Sequence, residues 1–218
     1  MCQKNIIIII IIILLAFLFF TVTSLPGQEQ EGVLAPENFN EARLNRLQPP
    51  DKVMDAIGIV QGMTVAEIGA GRGSYVVQLA VGVGESGKVY AEDIDSAALQ
   101  YLEQRCKRWG LKNVETILGD VTDPKLPEGE LDLIFVISSY HHFDDPVALL
   151  RKARHALKPE GKLAIGEWLP SDGNDSEYTT PEEMEAQVNA AGYKLECIET
   201  FLEKNNMYIY IFSIDGSQ

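Results

Sequence analysis

The chain has 218 residues, 46% of them hydrophobic, which leaves room for one domain with a real core once an apolar N-terminal segment is set aside. Its formal net charge of −14 argues against a nucleic-acid substrate, because phosphate contacts need clustered lysine and arginine. Cys2, Cys106 and Cys197 make no Cys-x-x-Cys pair, and none has a histidine at ligand spacing, so neither a metal site nor a disulfide framework is indicated.

Residues 1–25 read as a signal peptide or a membrane anchor. Lys4 precedes an uninterrupted apolar run from Ile6 to Phe20, and the small residues Thr21 to Ser24 follow. As a helix the run spans about 22 Å, at about 1.5 Å per residue, short of a hydrocarbon core of about 30 Å. Cleavage after Ser24 gives an exported protein, periplasmic or extracellular. Retention gives one anchored to the membrane through residues 6–25. Only a mis-assigned start codon would leave the chain in the cytoplasm. Residues 26–48 read as a linker rich in Gly, Gln, Glu and Asn, ending in a short helix from Glu41 to Leu47.

Residues 49–218 carry the domain. Pro49-Pro50-Asp51 opens a helix to Ile59, since proline is tolerated in a first turn. Val65 to Ile68 is a buried strand, and Ser74 to Val83 a helix. Lys88 to Glu92 is a strand, and Ser96 to Trp109 an amphipathic helix stopped by Gly110. Val114 to Leu118 is the third strand. Leu131 to Ser138 is almost continuously apolar, as expected of a strand covered on both faces. A helix from Pro146 to Leu157 has Asp145 as its N-cap, and Lys158-Pro159-Glu160-Gly161 turns into a strand from Lys162 to Glu167. After a helix from Pro181 to Ala191, Tyr193 to Phe201 and Met207 to Ile214 form an antiparallel pair. The alternation predicts an α/β fold: a Rossmann-like, mostly parallel sheet with a C-terminal antiparallel hairpin and helices on both faces.

Between the first strand and its helix stands Glu67-Ile68-Gly69-Ala70-Gly71-Arg72-Gly73-Ser74. Glycines here admit φ > 0 and let backbone N–H groups approach a ligand at a helix N-terminus. A dinucleotide fingerprint would need its third glycine at position 74, which is Ser74. The acid-x-Gly-x-Gly-x-Gly pattern instead resembles the first motif of class I S-adenosylmethionine-dependent methyltransferases. The resemblance runs from Pro49 to Ile214 and includes the seven-stranded sheet of that family, whose last strand inserts antiparallel. Ser74 and the closing hairpin both speak against a nucleotide-dependent oxidoreductase.

The resemblance implies roles at four strand ends. Glu67 supports the glycine loop and the amino-acid end of S-adenosylmethionine, which Gly69, Ala70, Gly71 and Gly73 line. After the second strand, Asp93, followed by Ile94, accepts both ribose hydroxyls, while its neighbours Glu92 and Asp95 read as part of a solvated turn or the cap of the next helix, a reading that suits Asp95 better. After the third strand, Asp120 accepts from the adenine amine, and the backbone of Val121 meets the ring. After the fourth, the segment Ser138-Ser139-Tyr140-His141-His142-Phe143 borders the methyl group and the acceptor. Ser138 is a cofactor-lining candidate, His141 a general base or substrate-orienting group, and Tyr140 a second residue facing the acceptor. Side-chain alternation lets at most one of His141 and His142 face the cleft squarely.

Tyr140 to Phe143 and Leu157 to Gly161 are similar in style to small-molecule, type 11-like enzymes, a group that includes those of quinone biosynthesis. The Ser-Ser-Tyr-His ending of the fourth strand departs from the Asn-Pro-Pro-Tyr of enzymes that methylate bases. The implied activity is methyl transfer from S-adenosylmethionine to a small-molecule acceptor, with no metal, no nucleic acid and no obligate protein partner. Two alternatives stand beside it: a cofactor-binding module of the same fold without transfer, and methylation of a membrane lipid or quinone.

Overall fold

The computed structural model describes residues 34–170 and 179–216. The signal-peptide or anchor segment and most of the linker lie outside the described residues. Among the described residues, no helix is long and apolar enough to cross a membrane, and no cluster of side chains is suited to a metal ion.

Seven strands form one sheet. They are β1 (Thr64–Ile68), β2 (Lys88–Asp93), β3 (Val114–Leu118), β4 (Leu131–Ile137), β5 (Leu157–Trp168), β6 (Tyr193–Glu199) and β7 (Met207–Ile214). Their order is β3-β2-β1-β4-β5-β7-β6. The first five run parallel, and β7 enters antiparallel between β5 and β6. The expected mostly parallel sheet with a C-terminal antiparallel hairpin is therefore present.

Helices cover both faces. On one face, α2 (Pro50–Ala56), α3 (Val76–Val83) and α4 (Ser96–Trp109) pack Val53, Leu79 and Leu102 against Val65, Val89 and Phe135. On the other, α5 (Pro146–Ala153) and α6 (Pro181–Ala190) pack Leu150 and Val188 against Ile134, Ile165 and Phe212. Apart from Leu131, which precedes the register shift and packs on the second face, odd residues of β1 and β4 go to the first face and even ones to the second, the period of two that strands impose.

Several boundaries move for local reasons. The α3 helix begins at Val76 rather than Ser74, after a turn. Beyond Ala153, α5 tightens into a 3₁₀ turn over Arg154–Ala156. The Lys158 to Gly161 segment is a bulge inside β5, because Leu157 pairs with Leu131 and the pairing resumes only at Lys162 opposite Leu133.

The end of the expected linker is also structured. Helix α1 spans Phe39–Leu47, and its N-cap Asn38 accepts from the Glu41 N–H. This segment is tied to the domain. The buried guanidinium of Arg105 on α4 pairs with the buried Glu41 carboxylate and also donates to the Arg72 carbonyl at 3.3 Å. The Leu34 N–H and carbonyl are both taken by the Gln78 side chain on α3.

Candidate functional site

In an open α/β sheet, ligands bind beyond the carboxyl ends of the strands, at the point where the strand order reverses. Here that point lies between β1 and β4, and the glycine turn sits over it. The three glycines have positive φ of +76, +52 and +80° for Gly69, Gly71 and Gly73, but they are needed for different reasons. A Cβ on Gly69 would lie 2.7 Å from Ser139 Oγ, and one on Gly73 would lie 2.2 Å from Leu102 Cδ1. A Cβ on Gly71 would meet nothing within 4 Å, so this glycine borders open space. Gly73 is thus a packing glycine beneath α4.

The turn is held to the end of β2. The N–H groups of Gly69 and Ala70 donate to the Glu92 carbonyl at 3.0 and 2.9 Å. The Gly71 N–H donates to Asp93 Oδ2 at 2.7 Å, and the Asp95 N–H donates to Oδ1 at 2.8 Å. A carboxylate has about four acceptor positions, so each Asp93 oxygen retains capacity for a ligand hydroxyl. Asp95 caps α4 by accepting from the Ala97 and Ala98 N–H groups.

Two buried carboxyls flank the sheet. Glu67 is 3% exposed, and its Oε2 has no hydrogen-bond partner among the described residues. Burial pushes its pKa well above the usual range, the charge of Asp93 adds to the rise, and Arg105 partly offsets it. Glu92, on the opposite face, is 2% exposed rather than part of a solvated turn. Burial and the Asp93 charge push it up to about 8.

A cleft of about 330 Å³ is lined by Glu92, Asp93, Ile94, Asp120, Val121, Ser138 and His142. That volume is in the range of small-molecule sites. Ile94 and Val121 expose apolar side chains there, while the Asp120 carboxylate stands in solvent paired with Lys125 Nζ at 2.8 Å. A wider cavity of about 820 Å³ lies at the other end of β2 and β3, around Lys88, Asn113 and Val114, away from the glycine turn.

The segment after β4 differs from the alternation expected of it. Ser138 takes a left-handed φ of +52°, and Tyr140–His142 is a 3₁₀ turn. Tyr140 therefore turns into the core instead of facing an acceptor: it is 1% exposed and its hydroxyl donates to Gln187 Oε1 at 2.8 Å. His142 lines the cleft. His141 turns toward the end of β5, where its Nδ1 lies 3.0 Å from Oε2 of the buried Glu167. The two imidazoles are in contact, with centroids 4.0 Å apart. The Ser138 hydroxyl accepts from Trp168 Nε1 at 2.9 Å and donates to Gln48 Oε1 at 3.2 Å. Ser138 thus holds two neighbours in place at the cleft edge.

Sequence reasoning passed over Glu92 as a binding-cleft wall, and missed Gln48, Arg105, Glu167 and Trp168. Only Glu92 had a signal, its adjacency to Asp93; the others reach the site through contacts with distant parts of the chain.

A family model described as a methyltransferase domain matches residues 59–213. A solved SAM-dependent methyltransferase from Aquifex aeolicus is 27% identical and superposes with a TM-score of 0.71, over 81% of this chain and 100% of that one. Nocamycin O-methyltransferase of Saccharothrix syringae is 27% identical over 114 residues, 52% of this chain and 41% of the relative. Demethylmenaquinone methyltransferase of Geobacillus sp. (strain WCH70) is 26% identical over 113 residues, 52% of this chain and 48% of the relative. The matches thus span less than half the length of these two curated relatives.

Proposed function

The chain belongs to the methyltransferase-domain family, and on that premise we propose that it transfers a methyl group from S-adenosylmethionine to a small-molecule acceptor. The observation that carries this reading is the half-buried Asp93 carboxylate in the cleft, which holds the N–H of the open Gly71, with the unpartnered Glu67 Oε2 two residues before the glycine turn. An adenosyl amino acid matches that donor set. Asp93 would accept the ribose hydroxyls, the apolar Ile94 and Val121 would flank the adenine, and Glu67 would meet the amino-acid end.

When bound, S-adenosylmethionine supplies a methyl group on an already activated sulfonium. The protein's task is then alignment, and well-oriented groups reach effective molarities of about 10⁵–10⁸ M. The glycine turn and Asp93 fix one side of that geometry, and the buried end of β4 fixes the other. His141 stands on the β5 side of β4, with Glu167 holding its Nδ1 edge. In this reading the proton of an acceptor hydroxyl is taken by the paired imidazoles, His142 at the cleft and His141 in contact behind it, so the base acts only on acceptors that arrive protonated. Similarity to an O-methyltransferase supports a hydroxylated small molecule as the acceptor class.

The apolar run from Ile6 to Phe20 favours a protein exported or anchored to a membrane, and with retention of that run an acceptor drawn from the bilayer. N-terminal sequencing of the natively expressed protein distinguishes cleavage from anchoring. The function itself is tested by incubating the full chain with methyl-labelled S-adenosylmethionine and a panel of phenols, hydroxyquinones and amines. Label transfer to a hydroxylated acceptor is expected. Cofactor binding without transfer to any acceptor would instead mark a binding module.

A further inference from the structure

We propose that the outward face of α1 docks on a bilayer that carries anionic phospholipids. The docking goes beyond the transfer reaction and does not depend on it. Residues three and four apart share one face of a helix, and Phe39, Arg43 and Arg46 of α1 are all exposed. Phe39 is 75% exposed, more than any other large apolar side chain among the described residues. Ala35 and Pro36, just before the helix, are exposed as well. Glu41, the acid of α1, is buried on the opposite side.

This face is positive on a strongly acidic protein. Glu41 is neutralised by the buried Arg105. Glu37, two residues before the helix, pairs with Arg108 Nη2 at 2.6 Å and accepts from the Tyr101 hydroxyl at 2.6 Å. Arg72 and Arg108 lie over the Tyr101 ring, 5.0 and 5.6 Å from its centroid. Both acids at this end of the chain are thus matched by arginine. Arg43 and Arg46 make no ion pair among the described residues. A net charge of −14 repels an anionic surface, which leaves an acid-free face with an aromatic and two unpaired arginines as the side suited to approach one.

The preceding chain supplies the reach. The apolar run ends at Phe20, and the stretch from there to Leu34 spans at most about 50 Å. A run retained in a bilayer would therefore hold α1 near its surface at a high effective concentration. That matters because the face is small. Each basic residue at an anionic surface gains about fivefold in affinity. Two arginines and one aromatic are too little for a free domain, since one weak signal gives only reversible binding, and are enough for a tethered one. The phenyl ring enters the apolar edge of the headgroup layer while the guanidinium groups meet lipid phosphates. On its inner side the helix is tied to the glycine turn by Glu41, Arg105 and the Arg72 carbonyl, so docking leaves one helix between lipid and turn.

The test places the reporter on the face itself. The full chain carrying Phe39→Trp is reconstituted into vesicles with brominated acyl chains, made of phosphatidylcholine alone or of phosphatidylcholine mixed with phosphatidylglycerol. Subtracting the emission of the wild-type chain in the same vesicles removes the signal of Trp109 and Trp168. The added indole should be quenched twofold or more in the mixed vesicles and stay unquenched in phosphatidylcholine. Arg43→Glu with Arg46→Glu in the same background should restore the emission, and so should high salt, which screens exposed charges. All three positions are exposed, so the variants keep the fold, and an unfolding midpoint equal to that of the wild type checks this. Equal quenching in both lipids would mean that the apolar run alone brings the helix down, and would overturn the proposal. So would an unquenched indole in the mixed vesicles, a chain that does not enter them, or quenching indifferent to the charge reversals. A blue shift without bromine quenching that grows with protein density in the bilayer would assign the face to a second copy of the chain instead.

Discussion

Gly119 is glycine because Glu92 fills the space a side chain would need: a Cβ at position 119 would lie 1.8 Å from Glu92 Oε1. The Glu92 carboxyl thus wedged between β2 and β3 titrates near 8, against 4.5 when unburied. The folded chain therefore keeps a proton that the unfolded chain releases. The contribution is full below about 4.5 and is lost as the pH rises toward about 8, at about 1.4 kcal/mol per pH unit. Glu92→Gln should flatten the fall in stability between pH 5 and 8, measured by urea unfolding at several pH values. Glu67, raised in the same direction, leaves a residual slope. Identical slopes in the two proteins would contradict this assignment.

Gly73→Ala should cost stability rather than act mainly through ligand contacts. The added methyl would lie 2.2 Å from the buried Leu102 at a φ of +80°. Overpacking costs about 1–3 kcal/mol, and a left-handed non-glycine residue about 1–2 kcal/mol more. A fall in melting temperature that Leu102→Ala partly reverses in the double variant is the expected signature. Additive losses would show that the two positions do not meet.

Fold and site differ in how much of them was legible in the sequence. The α4, β3 and β7 spans follow from composition and punctuation alone, because Gly110 stops one helix and Asn205-Asn206 turns the last strand pair. Asp93 was legible because it lies at a strand end, a fixed distance beyond a glycine turn. The orientation of Tyr140 was not. Alternation assumes an extended chain, and the left-handed Ser138 followed by a 3₁₀ turn breaks that assumption. Gln48 and Glu167 are beyond local reasoning altogether, since Gln48 meets Ser138 across 90 residues and Glu167 meets His141 across 26.

The ion pair between Arg105 and Glu41 ties the N-terminal helix to the glycine turn. Removing one partner leaves a buried charge alone, at about 3–5 kcal/mol. Arg105→Leu should therefore destabilise the chain by that order in chemical denaturation, and Arg105→Leu with Glu41→Leu should recover much of the loss. A single variant as stable as the wild type would mean that the pair is not formed in solution.

Glu167 positions His141, so its effect should fall on transfer rather than on cofactor affinity. Glu167→Gln should lower kcat toward a phenolic acceptor tenfold or more, while S-adenosylhomocysteine binds within twofold of wild type. An acceptor already ionised at the assay pH should be spared most of the loss. Equal losses for protonated and ionised acceptors would remove the proton-transfer role.

The most direct measurement is calorimetric titration of the full chain with S-adenosylhomocysteine, alongside Asp93→Ala. Micromolar binding is expected, weakened in the variant by about 2 kcal/mol, the scale for losing a hydrogen bond to a charged group. No binding to the wild-type chain, or binding unchanged by Asp93→Ala, would contradict the placement of the cofactor at the end of β2.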